Sequence, residues 1–120
     1  MDYMILLYSD ESYEAPAPGT PEFDSMMGEW FAYNQRLIDG GHWINGASLQ
    51  PTMTATTLKK SFGGEATTTD GPYVETKEQL GGYYLIKAED LDQAIELAKG
   101  VPIPVGSFEI RPVAFRPDAE

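Results

Sequence analysis

Residues 70–84 read Asp70-Gly71-Pro72-Tyr73-Val74-Glu75-Thr76-Lys77-Glu78-Gln79-Leu80-Gly81-Gly82-Tyr83-Tyr84, a turn, a charged run and a glycine pair in close succession. Asp-Gly-Pro marks a sharp change of chain direction. An Asp side chain bonds nearby backbone N–H groups, Gly tolerates positive φ, and Pro fixes the φ that follows. Asp70 is therefore expected to close a strand. Glu75, Lys77 and Glu78 then carry three charges in four residues, and Leu80 to Ile86 reads as a strand entered through Gly81-Gly82. A glycine pair in that setting points to a bulge or to close approach of a neighbouring backbone. Two roles stay open for Asp70 and the charges, a capped turn with solvated ions or part of a site.

Upstream, Trp43 to Ser48 is a short strand ended by Gln50-Pro51. Thr54 to Ser61 and Glu65 to Thr69 flank Phe62-Gly63-Gly64, and the threonine content with a glycine-centred connection predicts a hairpin. That Gly-Gly lacks the Lys-Ser/Thr of a phosphate loop and the three-glycine spacing of a dinucleotide fold. Lys59 and Lys60 guard a strand edge. Downstream, Asp90 caps a second helix with Gln93 in the capping-box position, and Leu91, Ala94, Ile95 and Ala98 form its buried stripe until Gly100 and Pro102 end it. Ser107 to Ala114 is the last strand, with Glu109, Arg111 and Val113 on one face and Phe108 and Ile110 on the other.

At the start of the chain, Tyr3 to Tyr8 is almost continuously apolar, which suits a central strand buried on both faces. Ser9 to Pro18, with two prolines, reads as a loop. Thr20 offers an N-cap, Pro21 occupies the first helical position, and Glu22 and Asp24 sit near the positive end of the helix dipole. Phe23, Met26, Met27, Trp30, Tyr33, Leu37 and Ile38 follow at three-four spacing up to Gly40-Gly41. This stripe, including Met26, Met27 and Trp30, is read as core rather than as the lining of a pocket.

Strand, helix, strands, helix, strand is an α+β order in which two helices cover one face of an antiparallel, ferredoxin-like sheet. The strand before the second helix alternates Tyr83, Leu85 and Lys87 against Tyr84 and Ile86, so the sheet has apolar residues on both sides. The face away from the helices then needs a cover, and a second copy of the chain is the simplest one.

The 120 residues are 42% hydrophobic, enough for a single domain spanning 1–120 with its own core. Eight Lys and Arg against nineteen Asp and Glu leave a net charge of −11, which repels nucleic-acid backbones and anionic membranes. No apolar run approaches the length of a membrane span, and Met-Asp-Tyr-Met-Ile lacks the pattern of a signal peptide. The absence of cysteine removes disulfides, thiolate nucleophiles and cysteine metal sites, and fits a cytoplasmic protein. With no ligand spacing such as His-x-Glu-x-x-His either, neither a metal nor a cofactor is expected.

Asp70, Gly71, Pro72, Glu75, Thr76, Lys77, Glu78, Gly81 and Gly82 resemble the signature of the YCII-related superfamily in its Asp-Gly-Pro-Phe branch, with Tyr73 in place of the Phe. The likeness extends over nearly the whole chain, to the closing Gly106-Ser107-Phe108-Glu109-Ile110-Arg111-Pro112-Val113. It implies ferredoxin-like domains pairing sheet to sheet into a dimeric α/β barrel, with a cavity near each protomer's loops. It also implies an association with extracytoplasmic-function sigma factors, hence regulation by protein contact. The YCII branch is thought to use a first-helix histidine together with an aspartate. This chain has Asn34, Gln35 and Arg36 in the second half of that helix, so that chemistry does not transfer.

The reading placed first is a homodimeric small-ligand-binding or regulatory protein, with a sigma factor or another regulatory protein as partner. The alternative is a small-molecule enzyme in which Asp70, Glu75 or Glu78 acts as the acid or base and His42, the only histidine and a candidate for proton transfer, or Tyr73 or Tyr83 helps to position the substrate. Ligand contacts would fall to Tyr73, Glu75, Lys77, Glu78, Tyr83 and Arg111, with Lys77 or Arg111 holding an anionic substrate. A third reading makes residues 70–82 a purely structural rim.

Overall fold

The computed structural model describes residues 1–118. Strand β1 (Asp2–Asp10) is followed by helix α1 (Pro21–Asp39), strand β2 (Trp43–Ser48), a short 3-10 turn at Thr52–Thr54, strands β3 (Thr56–Lys59), β4 (Thr67–Asp70) and β5 (Glu78–Lys87), helix α2 (Leu91–Lys99) and strand β6 (Gly106–Pro112). The main sheet has the order β2-β5-β1-β6 with every neighbour antiparallel. Order and directions agree with a ferredoxin-like arrangement. The strands β3 and β4 form a separate two-stranded sheet inserted between β2 and β5.

Helix boundaries follow the capping chemistry. The Thr20 hydroxyl accepts from the Phe23 N–H at 3.1 Å, and the Gly40 N–H closes the other end of α1 on the Arg36 carbonyl at 3.0 Å. Asp90 accepts from the Gln93 N–H at 2.9 Å, while the Gln93 side chain accepts from the Glu89 N–H at 2.7 Å, a reciprocal pair that starts α2.

Both helices cover the same face of the sheet. Tyr3, Ile5 and Leu7 from β1 and Tyr84 and Ile86 from β5 are buried there with Tyr33 and Leu37 of α1 and Ala94 and Ala98 of α2. The two alanines bring α2 close to the sheet, and the Tyr33 hydroxyl ties the helices together by donating to the Leu97 carbonyl at 2.7 Å. Each stripe is trimmed at one end. Ile38 is half exposed and Leu91 is exposed, while Leu97 packs against the core instead. Periodicity identifies a helix face but not where the opposing surface stops.

The strand β1 is central, as expected, but its two faces differ. Met4, Leu6 and Tyr8, which alternate with Tyr3, Ile5 and Leu7, are only half-buried because no helix lies over them. Expected burial on both faces is therefore met on one face within the chain. Among the described residues, no helix is long and apolar enough to cross a membrane.

Candidate functional site

At the end of the sheet where β1 stops and β5 begins, the register between them slips. Leu7 pairs with Gly82 and Tyr8 with Leu80, which leaves Gly81 as the extra residue of a bulge. A Cβ added to Gly82 would lie 2.6 Å from the Ala47 carbonyl oxygen, closer than a side chain tolerates. Gly82 thus lets β2 close on β5, and with Gly46 it leaves that part of the sheet without side chains beneath α1. The N-terminal half of α1 consequently stands over a floor too low to fill.

The result is a cavity of about 720 Å³ between α1 and the sheet. Met26, Met27, Trp30, Phe31 and Asn34 face it from the helix, Trp43, Gly46 and Ser48 from β2, and Leu7, Gly82 and Tyr84 from the central strands. The loop Pro102–Val105 closes one side and residues Ser9–Glu11 and Tyr13 another. Aromatic rings dominate the inner wall. Tyr84 lies 6.5 Å from Trp30 in a stacked arrangement, and 6.0 Å from Trp43 and 5.4 Å from Tyr33 edge to face. Its hydroxyl donates to the Asn34 side-chain oxygen. Burial pushes the Tyr84 phenol up to about 12, so it remains a donor at neutral pH.

The mouth carries the charge. Asp10 Oδ1 accepts from the Ser12 N–H at 2.9 Å and from its hydroxyl at 2.6 Å, and these bonds hold the Asp10 carboxyl below the usual carboxylate range. Glu11 accepts from the Thr52 N–H at 3.0 Å and from its hydroxyl at 2.6 Å, and is lowered for the same reason. A second, shallower depression of about 580 Å³ lies beyond this mouth, between Asp10–Ser12, Thr52–Met53 and residues 71–77. Asp10, Glu11 and Gln79 border both spaces. Gln79 pins the charged loop by donating to the Val74 and Thr76 carbonyls at 2.8 and 3.0 Å.

The residues singled out from the sequence are scattered by the fold. Asp70 is exposed at the end of β4, and Glu75 and Lys77 line only the shallow depression. Lys77 Nζ lies 3.8 Å from Asp10 Oδ2. Glu78 accepts from the Ser107 hydroxyl at 2.8 Å. Tyr73 is 75% exposed, beside Lys59, whose Nζ lies 5.8 Å from the ring centroid. Tyr83 borders the cavity, but strand alternation sends its side chain to the opposite face from that of Tyr84. Arg111 pairs with Met4, on the sheet face without helices and about 20 Å along β1 from Asp10. His42 Nδ1 lies 2.8 Å from the Lys87 carbonyl oxygen. Lys87 ends β5, nine residues from Glu78 and thus about 30 Å away. His42 and the charged loop after Asp70 therefore stand at opposite ends of the sheet and do not form one site.

Met26 and Met27, read from the sequence as core, instead line the cavity, while Trp30 packs against the core as expected and also faces the cavity; Asp10, Glu11 and Asn34 were passed over. Two signals pointed to the space beneath α1 and to Asn34, and none to Asp10 or Glu11. Asn34 is a polar residue four positions after Trp30, on the apolar face of α1, and three glycines fall on strand positions opposite that face. Among the described residues, no group of three His, Asp or Glu side chains is placed to hold a metal ion.

A family model for the YCII-related domain matches residues 1–115. An uncharacterised protein of Rhizobium meliloti (strain 1021) is 38% identical over 118 residues, which span 96% of this chain and 94% of that protein.

Proposed function

This chain belongs to the YCII-related domain family, and from that premise we propose that it is a small-ligand-binding protein whose ligand occupies the cavity between α1 and the sheet. The cavity itself carries this reading. It is large enough for a drug-sized molecule and mostly apolar, with a few polar groups at its ends, which is the common form of a small-molecule site. The enzyme alternative gains no comparable support, because Asp70 and His42 do not converge.

The protein acts as a cytoplasmic homodimer of the Asp-Gly-Pro-Phe type in this proposal. Support for the dimer comes from the half-buried Met4, Leu6 and Tyr8 on the face without helices, and support for the compartment from the cysteine-free sequence. Ligand occupancy would be relayed by protein contact, with a sigma factor as the partner class implied by the motif resemblance.

The test uses N-phenyl-1-naphthylamine, a neutral apolar dye whose emission rises on leaving water. It is expected to bind the wild-type chain saturably. Met27→Trp, which adds bulk to the cavity, should weaken binding about tenfold or more by obstructing the apolar contacts, with far-UV circular dichroism unchanged. Equal dye affinity in the folded variant would remove the cavity as the binding site.

A further inference from the structure

We propose that the ligand of this cavity is an uncharged, flat aromatic molecule bearing a carbonyl group, and that the hydrogen-bonded pair Asn34 and Tyr84 receives that carbonyl. This assignment rests on the reading of the cavity as a ligand site and adds the chemical class of the molecule it takes.

Asn34 interrupts the apolar stripe of α1, four residues after Trp30 and three before the fully buried Leu37, so it stands where the cavity meets the packed core. Tyr84 reaches it from the sheet, and the phenol hydroxyl donates to the Asn34 side-chain oxygen. A primary amide carries two N–H donors besides that oxygen, and those of Asn34 find no acceptor among the described residues. The indole N–H groups of Trp30 and Trp43, on the same wall, find none there either. No buried side-chain nitrogen or oxygen among the described residues lacks a partner, so each of these donors keeps accessible surface. Donors set in an apolar wall favour an acceptor on the ligand, because a hydrocarbon leaves them unmatched. The rings of Trp30 and Tyr84 lie within 17° of parallel, and such faces pack best against a flat aromatic body.

The lack of charge follows from the groups that border the space. Among the described residues the lining contains no Lys, Arg or His, so a ligand carboxylate would lose water without gaining a cation. A ligand cation fares no better. Strand alternation puts Asp10 with Met4, Leu6 and Tyr8 on the sheet face without helices. The Glu11 carboxylate is taken up by Thr52, which borders only the shallow depression. Burial keeps the Tyr84 phenol protonated at neutral pH, which leaves the inner wall neutral. The expectation of an anionic substrate held by Lys77 or Arg111 finds neither residue in the cavity lining.

Three probes of one shape separate the carbonyl from charge: 2-acetylnaphthalene, 2-isopropylnaphthalene and 2-naphthoate. Each competes with N-phenyl-1-naphthylamine for the full chain. The ketone is expected to bind about tenfold or more tighter than the carboxylate. The hydrocarbon is the more apolar probe, so the carbonyl is read by substitution rather than by rank. Asn34→Leu with Tyr84→Phe removes both partners of the pair together and leaves neither orphaned. In that double variant the ketone should lose about tenfold in affinity, whereas the hydrocarbon should lose none. The C=O stretch of the ketone bound to the wild-type chain should lie below its frequency in hexane, a readout that does not depend on the variant folding. An equal loss for ketone and hydrocarbon, or a stretch at the hexane frequency, overturns the carbonyl assignment. A carboxylate as tight as the ketone overturns the lack of charge, and each of these results leaves a ligand site in place. Failure of the dye and all three probes to bind overturns both the assignment and the site on which it rests.

Discussion

The Glu11 carboxylate joins two segments 41 residues apart, the loop after β1 and the 3-10 turn at Thr52. Because both bonds from Thr52 favour the ionised form, the folded pKa lies below the ordinary value of 4.5. A depressed carboxylate contributes stability above its unfolded pKa and loses that contribution as pH falls through the folded value. The cavity mouth is therefore expected to loosen on acidification below pH 4.5, the ordinary value for Glu11. Hydrogen exchange at the Thr52 amide, corrected for the intrinsic rate at each pH, checks this. Protection should fall on acidification in the wild-type chain and be lower and flatter with pH in Glu11→Ala. Protection indifferent to pH in the wild-type chain would show that Glu11 does not hold the mouth. No local pattern in the sequence joins Glu11 to Thr52, since the bond depends on two loops meeting at the end of the sheet.

The strand β5 shows how far local chemistry reaches at the scale of an element. Its glycine pair was legible as a bulge or a close approach, and it provides both. Gly81 is the extra residue opposite β1, and Gly82 faces the Ala47 carbonyl. The two positions should respond differently to a methyl group. At Gly82 the new Cβ meets backbone at 2.6 Å, so Gly82→Ala should cost about 1–3 kcal/mol in urea unfolding. At Gly81 the nearest neighbour is the Ser9 hydroxyl oxygen at 3.4 Å, so Gly81→Ala should stay within about 0.5 kcal/mol. Equal costs would remove the close approach of β2 as the reason for the glycine at 82. The helices were equally legible, because Thr20 and Asp90 are short-range signals that act within one turn.

The whole molecule is more extended than its length requires. Its radius of gyration is 16.6 Å, against about 14 Å for a compact 120-residue domain. The β3–β4 hairpin contributes to this as a two-stranded sheet outside the main one, with Leu58 and Phe62 exposed on it and Met53 exposed just before it. An isolated two-stranded hairpin is marginal in water, and exposed apolar groups of this size favour an interaction. Together with Met4, Leu6 and Tyr8 on the main sheet, they support a second copy as the cover. Sedimentation equilibrium is expected to give twice the 13.2 kDa chain mass. Leu6→Glu, placed opposite Glu109 on the face without helices, should shift the population towards the monomer. A wild-type chain that sediments as a monomer at micromolar concentration would exclude the dimer.

The sequence by itself determined the elements, the caps, the alternation of the strands and the α+β order, because hydrogen bonds within a turn and side-chain periodicity act between residues near one another in the chain. It also carried the family likeness, concentrated in residues 70–82. Tertiary structure alone decided that His42 and the charged loop after Asp70 lie at opposite ends of the main sheet, that Arg111 faces away from α1, and that Met26, Met27 and Trp30 border a space. An apolar stripe at helical spacing is the same whether the surface beneath it holds side chains or glycines. Only the register that sets Gly46 and Gly82 beneath α1, and brings Asp10 and Glu11 to the rim, turns that stripe into the wall of a cavity.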